Sequence, residues 1–321
     1  MAGFDCTMRN PMPDLSIIIV SWNVADLLAN CLDSILSSPI SVEETQIIVV
    51  DSNSSDQTVP MLRERYPQVK LLAQNENVGF TGGNNIGLAE AKGRYLLLLN
   101  PDTKVLGNAI PRMMEYLDQN PDVGIVGPHT LNEDGSTQST RRRFPTFWIG
   151  LFESTWLQPY APKSLLDYYY VTNDVPADAT LDVDWVQGSA MMVRREVYEQ
   201  IGGLDDGYFM YSEELDWCKR AKQAGWRVVF LGDAKIIHYG GKSSEQAVAR
   251  SHILFQQSKL RYFRKYHGWL TAQVLRLFLL LNYLAQLEIE AGKLLLGHKP
   301  AMRRERVRAY WQVLRSGLKV T

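Results

Sequence analysis

The chain has 321 residues, 45% of them hydrophobic and 21% charged, enough apolar surface for a sizeable core without disulfide or metal staples. Lys and Arg number 34 against 35 Asp and Glu, and this near-zero balance argues against a general nucleic-acid binder while leaving room for local basic patches. In chain order, residues 1–14 contain no apolar run of the kind a signal peptide needs, so a cytoplasmic protein is expected. Residues 15–20 (LSIIIV) are a continuous β-rich run, as in a strand covered on both faces. Leu27, Leu28, Cys31, Leu32, Ile35 and Leu36 then recur at helical spacing. Residues 46–50 give a second strand, 69–72 a weaker third, and 95–99 another, following a helix that Gly93 can cap. This β-α-β-α order predicts an α/β protein with a mainly parallel sheet flanked by helices. Ligands of such sheets bind beyond the C-terminal strand ends, here residues 21–23, 51–56 and 100–102.

From 136 to 182 the pattern loosens. Phe144, Phe147, Trp148, Trp156, Tyr168, Tyr169 and Tyr170 crowd there beside Arg141, Arg142 and Arg143. Regularity returns over 183–193, then a helix at 196–201, the turn Gly202-Gly203, a helix from about 213 to 224 ended by Gly225, and a strand over 226–231. Cys6, Cys31 and Cys218 form no CxxC; Cys31 and Cys218 read as buried reduced thiols. A helical extension runs from about residue 269. Between 268 and 287 its only charge is Arg276, and the length suits a span of ~20 residues, but Gln273, Asn282 and Gln286 interrupt it. It reads first as a membrane-contacting helix, next as a packed core helix, last as a full span. Arg303, Arg304, Arg306 and Arg308 follow, suited to anionic headgroups or to a solvated helix face.

Two phosphate-binding patterns fail. Ser21-Trp22-Asn23-Val24 after the first strand lacks the glycines of a dinucleotide fingerprint, and Gly241-Lys242-Ser243 lacks the upstream P-loop glycine, where Ile236 stands. What remains is a set of polar residues at strand ends. Asp51 can accept hydrogen bonds from a base or ribose, while Asp56 reads equally as a helix N-cap. The glycine- and asparagine-rich segment 77–85 is a tight turn entering a helix, where backbone can approach a ligand. Asn100-Pro101-Asp102 delivers an acid to the end of an apolar strand, as a site for Mg²⁺ or Mn²⁺ against a diphosphate requires, and is also a common turn. His238, after Ile236-Ile237, is either a further ligand or structural. Glu213, Glu214 and Asp216 open a helix, where acids also complement the dipole; at ~100° per residue only one of the adjacent pair faces a given hydroxyl.

Together these residues resemble the large inverting family called glycosyltransferase family 2, and within it the rhamnosyltransferase-like bacterial members. The matching segments, in family order between about residues 15 and 244, are SIIIVSWN, IIVVDSNSSD, NVGFTGGNNIGL, YLLLLNPDT, VQGSAMMVRREV, IGGLDDGYFMYSEELDWCKRAKQAGWRV and HYGGKSS. The resemblance implies a GT-A type fold with a catalytic domain over 1–265; residues 266–321 then form the helical extension, membrane-contacting or packed, read from its own pattern. It implies that Ser21, Asn23, Asp51 and Asn53 serve the nucleotide, and that Asn77, Gly79 and Asn84 lie along the donor. Asn100 and Asp102 occupy the positions of an acid-x-acid metal motif, Gly188 lies near the sugar or acceptor, and His238 reaches the metal or diphosphate. Glu214 stands at the base position, with Asp216 next. Two departures are visible: Asn100 replaces the first acid of the metal motif, and Glu214 stands where Asp is more usual.

The expected reaction is metal-dependent, inverting transfer of a sugar to a hydroxyl of a saccharide or lipid-linked saccharide in cell-envelope polysaccharide assembly, at the inner face of the cytoplasmic membrane. The subgroup implies L-rhamnose from dTDP-rhamnose, with UDP- or GDP-sugars as alternatives and no nucleic-acid partner. A non-catalytic nucleotide-sugar or carbohydrate-binding protein and a membrane-associated scaffold are the rivals; the presence of both Asp102 and Glu214 counts against the first. A nucleotidyltransferase needs a glycine-rich loop after Val20, which is missing.

Overall fold

Apolar, β-branched runs become strands because both their faces can be covered, and the helices between them supply the cover. The computed structural model describes residues 13–41, 43–172, 175–240 and 248–319; Cys6, Gly241-Lys242-Ser243 and most of the segment 1–14 lie outside the described residues. The first half runs β1 (Leu15–Ser21), α1 (Ala25–Leu36), β2 (Thr45–Asp51), α2 (Thr58–Arg65), β3 (Lys70–Ala73), α3 (Gly79–Glu90), β4 (Tyr95–Leu99), β5 (Thr103–Val105), α4 (Ala109–Gln119) and β6 (Val123–Leu131). There follow β7 (Arg141–Arg142), α5 (Phe147–Phe152), α6 (Lys163–Tyr170), β8 (Leu181–Val183), β9 (Trp185–Val186), β10 (Ala190–Arg194), α7 (Arg195–Ile201), α8 (Glu213–Gln223) and β11 (Arg227–His238). Three helices close the chain: α9 (Val248–His267), α10 (Trp269–Leu295) and α11 (Pro300–Ser316).

Among the described residues nine strands form one sheet in the order β3-β2-β1-β4-β10-β6-β11-β5, with β8 also on β11. β3, β2, β1, β4, β6 and β11 run the same way; β10 is antiparallel to both its neighbours, β4 and β6. Along β1 and β4 side chains alternate between two cores. Ile17, Ile19, Leu97 and Leu99 join α1 and α4 on one face, and Ile18, Leu96 and Leu98 join the other. Cys31 and Cys218 are buried free thiols, both pushed up to about 12 by burial, which leaves them unreactive.

Several sequence expectations change in form. Gly93 does not cap the preceding helix, which ends at Glu90. A Cβ there would lie 2.3 Å from the Ser16 nitrogen, so the glycine exists to let the chain cross β1. The stretch 183–193 is three short strands, β11 extends well past residue 231 through an irregularity between Leu231 and Lys235, and helices begin at Val248. The C-terminal helices are also built into the main core. Leu260, Tyr262, Phe263, Leu275, Leu279 and Val313 share one cluster with Ile18, Leu98 and Trp217.

α10 is the one described helix long and apolar enough to cross a membrane, by length and composition. Three of its polar residues turn inward: Arg276 Nε donates to the Gly317 carbonyl at 2.7 Å, Gln286 Nε2 donates to the Asn282 side chain at 2.7 Å, and Asn282 is buried. Its apolar residues occupy both faces, and Leu270, Val274, Leu277, Leu281 and Leu284 form an exposed row at alternating spacings of four and three. An amphipathic surface helix has the opposite pattern.

An ionic knot ties α9 to the sheet domain. Asp205 accepts from Arg261 Nη2 and Lys265 Nζ at 2.8 Å each and from the Gly207 N–H at 2.9 Å. Burial alone would raise its carboxyl, but these donors outweigh it and hold it down at about 2. A depressed carboxyl stabilises the fold above its unfolded value near 3.8 and loses that contribution as pH falls toward 2. Asp205→Asn is expected to lower unfolding free energy by about 2 kcal/mol at pH 7, with the gap to the wild type narrowing in urea melts repeated near pH 3.

Candidate active site

The parallel strands release their polar residues at one edge of the sheet, and a cavity of about 260 Å³ opens there. Ser21 and Trp22 leave β1, Ser52 leaves β2, Asn100, Pro101 and Asp102 leave β4, and His238 ends β11. Asn77 and Gly79 enter from the start of α3, Gln187, Gly188 and Ser189 from the β9–β10 connection, and Glu213 and Glu214 from the start of α8. Arg250, Ser251 and Leu254 of α9 complete the wall.

Three of these residues converge. His238 Nε2 lies 3.3 Å from Asp102 Oδ1 and 3.4 Å from Asn100 Nδ2. The other ring nitrogen, Nδ1, lies 3.0 Å from Gln138 Oε1, and Gln138 Nε2 donates to the His238 carbonyl at 2.6 Å. That second bond orients the Gln138 amide so that its oxygen accepts from Nδ1–H, which leaves the Nε2 lone pair facing Asp102. The Asn100-Pro101-Asp102 turn is fixed from behind: the Asn100 N–H donates to the Ser189 carbonyl at 2.9 Å, and Thr103 Oγ1 donates to the Asn100 carbonyl at 2.7 Å. Asn100 Oδ1 is buried without a hydrogen-bond partner among the described residues. No group of three or more His, Cys, Asp and Glu side chains gathers among the described residues. One carboxylate, one imidazole nitrogen and an orphaned amide oxygen nevertheless fit Mg²⁺ or Mn²⁺ held jointly by protein, water and substrate phosphate oxygens.

α8 begins under strain. Tyr211 and Ser212 are consecutive non-glycine residues in the left-handed region, at φ 73 and 65, an arrangement that costs roughly 1–3 kcal/mol per residue. Ser212 makes no side-chain cap. The turn swings Glu213 and Glu214 together onto the cavity, each with an Oε2 buried and unpartnered among the described residues. Burial raises both carboxyls, and for Glu213 the neighbouring Glu214 charge adds to the rise. The Gly188 N–H lies 3.5 Å from Glu214 Oε1. Asp216, fully buried, is spent elsewhere: it accepts from Arg220 Nε at 2.8 Å and Tyr266 Oη at 2.8 Å and pairs with Lys265 Nζ at 2.6 Å. It anchors α8 to α9 and does not line the cavity.

The structure thus gathers Ser21, Asn77, Gly79, Asn100, Asp102, Gly188, Glu214 and His238 around one cavity, and leaves Asn23, Asp51, Asn53, Asn84 and Asp216 outside its lining. Asn23 shapes the loop after β1, its Oδ1 accepting from the Ser55 N–H at 2.8 Å. Asp51 Oδ2 accepts from the Ser54 N–H at 3.0 Å, and Asn53 is exposed and left-handed at φ 61. Asn84 sits one turn inside α3, its amide donating to the Phe80 carbonyl at 2.9 Å. Gly79, at φ 72, has no room for a side chain: a Cβ would lie 2.6 Å from the Phe209 carbonyl oxygen. Residues unmarked by sequence reasoning also serve the site. Gln138 lies in the loosened stretch after 136 and Phe209 in a loop, where no periodicity flags either. Arg250 reaches the cavity as well, as does Glu213, one of the three acids the sequence marks at the start of α8.

The family model described as glycosyl transferase family 2 matches residues 16–202. Among curated relatives, the N-acetylglucosaminyl-diphospho-decaprenol L-rhamnosyltransferase of Mycobacterium tuberculosis is 27% identical over 269 residues, 79% of this chain and 86% of the relative. The low-salt glycan biosynthesis hexosyltransferase of Haloferax volcanii is 31% identical over 239 residues, 72% of this chain and 68% of the relative. A rhamnosyltransferase of Escherichia coli is 24% identical over 268 residues, 78% and 92% of the two chains. A mannosyltransferase of Pyrobaculum calidifontis, solved in complex with GDP-Man and Mn²⁺, shares the fold with a TM-score of 0.55 at 17% identity, over 96% of this chain and 87% of that one. The α/β architecture is of the GT-A type, the family match spans more than half of the chain, and the protein belongs to glycosyltransferase family 2.

Proposed function

We propose that this chain transfers L-rhamnose from dTDP-rhamnose, with inversion, to a hydroxyl of a saccharide or lipid-linked saccharide in cell-envelope polysaccharide assembly. One observation carries the catalytic part: the half-buried Glu214, whose Oε2 has no hydrogen-bond partner among the described residues, opens onto the same cavity as the Asp102–His238 pair. In a single displacement the acceptor oxygen attacks the anomeric carbon, its proton passes to Glu214, and the nucleoside diphosphate leaves with the bonding electrons. Asp102 Oδ1, His238 Nε2 and Asn100 Oδ1 are the atoms that would hold a divalent cation, which would neutralise charge on the departing diphosphate. Gly79 brings α3 backbone to the cavity for the donor. The choice of sugar is supported by the names of the Mycobacterium tuberculosis and Escherichia coli relatives. A panel of dTDP-, UDP- and GDP-sugars with Mg²⁺ or Mn²⁺, scored for nucleoside diphosphate release, tests it; turnover of a UDP- or GDP-sugar in preference to dTDP-rhamnose would replace the donor.

A membrane surface as the place of work is supported by α10. Its outward row of Leu270, Val274, Leu277, Leu281 and Leu284 has no described partner element over it, with Trp269 and Trp311 also exposed. Residues 248–319 carry fourteen Lys and Arg against three Asp and Glu. Such a segment repels a second copy of itself and is drawn to an anionic bilayer.

Each of these assignments has a measurable outcome. Asp102→Asn, and EDTA with the native enzyme, should each remove most turnover; full turnover in EDTA would remove the metal. Glu214→Gln should cut kcat by ~10²–10⁴ with donor affinity nearly unchanged. Because burial raises the Glu214 carboxyl and the base must be ionised, the acid limb of the wild-type pH–rate profile should lie above the ordinary glutamate range near ~4.3. The intact chain should float with phosphatidylglycerol vesicles, and changing Leu270, Leu277 and Leu281 together to Gln should lose most of the bound fraction while circular dichroism stays unchanged. An intact chain that sediments without lipid would show the row has another role.

A further inference from the structure

The cavity wall is rich in acid and poor in cations. Asp102, Glu213 and Glu214 line it, and among the described lining residues the one Lys or Arg is Arg250, in the first turn of α9. A nucleoside diphosphate is a multiply charged anion. Such a wall repels it unless positive charge or N–H donors meet it.

Helix starts commonly supply those donors, but here they are occupied. At the head of α3 the Gly79 N–H donates to Asn77 Oδ1 at 3.0 Å, and the Phe80 and Thr81 N–H groups both donate to the Phe209 carbonyl, at 3.1 and 3.4 Å. These are the first three residues of the helix, so the amides that an anion would use are already spent. The head of α8 carries Glu213 and Glu214 instead. His238 is held between Asp102 and Gln138. The fixed positive charge left to the protein at this cavity is Arg250.

Arg250 is placed and free to use it. Its guanidinium lies over the Phe209 ring at 5.1 Å and has no hydrogen bond or ion pair among the described residues. A guanidinium over a ring face keeps its N–H donors for other acceptors. The ring itself stands on a pinned loop. The Phe209 carbonyl takes the α3 amides, Ser258 Oγ of α9 donates to the Met210 carbonyl at 2.7 Å, and the Tyr211 ring meets Phe255 of α9 edge-on at 5.5 Å. Loop, α3 head and α9 are thus fastened together around the same opening.

We propose that Arg250 binds the diphosphate of the nucleotide-sugar donor, supplying from α9 the positive charge that neither helix start provides. The inference rests on the reading of this cavity as the donor site. Its planar fork can give two N–H bonds to phosphate oxygens, which a point charge cannot match.

The test is binding without transfer. The full chain is titrated calorimetrically with dTDP, UDP and GDP, each with Mg²⁺, and the nucleotide that binds the wild type most tightly is carried forward. In Arg250→Met, which keeps a stem on the ring without the charge, its Kd should rise by ~10-fold or more. Arg250→Lys should recover part of that loss, and the gap between wild type and the Met variant should narrow as KCl is raised. Arg250→Gln repeats the measurement if the Met variant fails to fold by circular dichroism. An unchanged Kd in a folded neutral variant would overturn the proposal. If the KM for a lipid-linked acceptor rose in that variant instead, the guanidinium would serve the acceptor's phosphate and the proposal would equally fall. A wild type that binds none of the three nucleotides is a different result: it would remove the donor reading of the cavity, and this inference with it.

Discussion

A strand covered on both faces can carry a polar side chain at low cost only where it leaves the sheet. β1 and β4 are buried along almost their whole length, so the chain's polar chemistry is forced to the strand ends. The parallel run of β1, β2 and β4 then puts those ends on one edge, and the antiparallel β10 between β4 and β6 brings the Gly188 connection to the same place. Every other feature of the site is an answer to that edge: a helix start that brings Asn77 and Gly79, a strained turn that brings Glu213 and Glu214, a histidine from the far end of β11.

The turn that carries Glu213 and Glu214 is held in place by charge as much as by packing. Asp216 lies in the first turn of α8, two residues beyond Glu214, yet its three partners come from one turn further along α8 and from α9. The same Lys265 that reaches Asp216 also reaches Asp205. The acids at the head of this helix therefore divide their work. Asp216 fastens the helix from below, and the Glu213–Glu214 pair faces the cavity with little local compensation. Removing one of the three partners of this buried carboxylate would leave its charge less compensated, at a cost to stability.

The strands and the edge were legible in the sequence because hydrophobic periodicity and buried runs are local signals. Leu15–Ser21, Thr45–Asp51 and Tyr95–Leu99 match the expected runs within a residue or so. Asp102, His238 and Glu214 could be proposed because each directly follows a recognisable element or opens one. Distinguishing Asn77 and Gly79 from Asn84 needed the exact helix start, since one turn of α3 carries Asn84 away from the cavity. Gln138 lies in a stretch with no period, and what gives it a task is a partner about a hundred residues away. The inward turn of Arg276 was equally invisible: its carbonyl partner at Gly317 belongs to the end of the next helix.

The contact between Gly79 and the Phe209 carbonyl ties two segments distant in sequence. The Phe80 N–H also donates to that carbonyl, at 3.1 Å, so the head of α3 is capped by the loop that leads two residues later into the strained turn before Glu213. Neither segment can be reshaped independently, since any side chain at position 79 pushes on the loop that aims the acids. For anyone exchanging this edge of the cavity between members of the family, the smallest transferable cassette is therefore two-part. A graft of the α3 entrance without its companion loop would leave the glutamate pair misaligned.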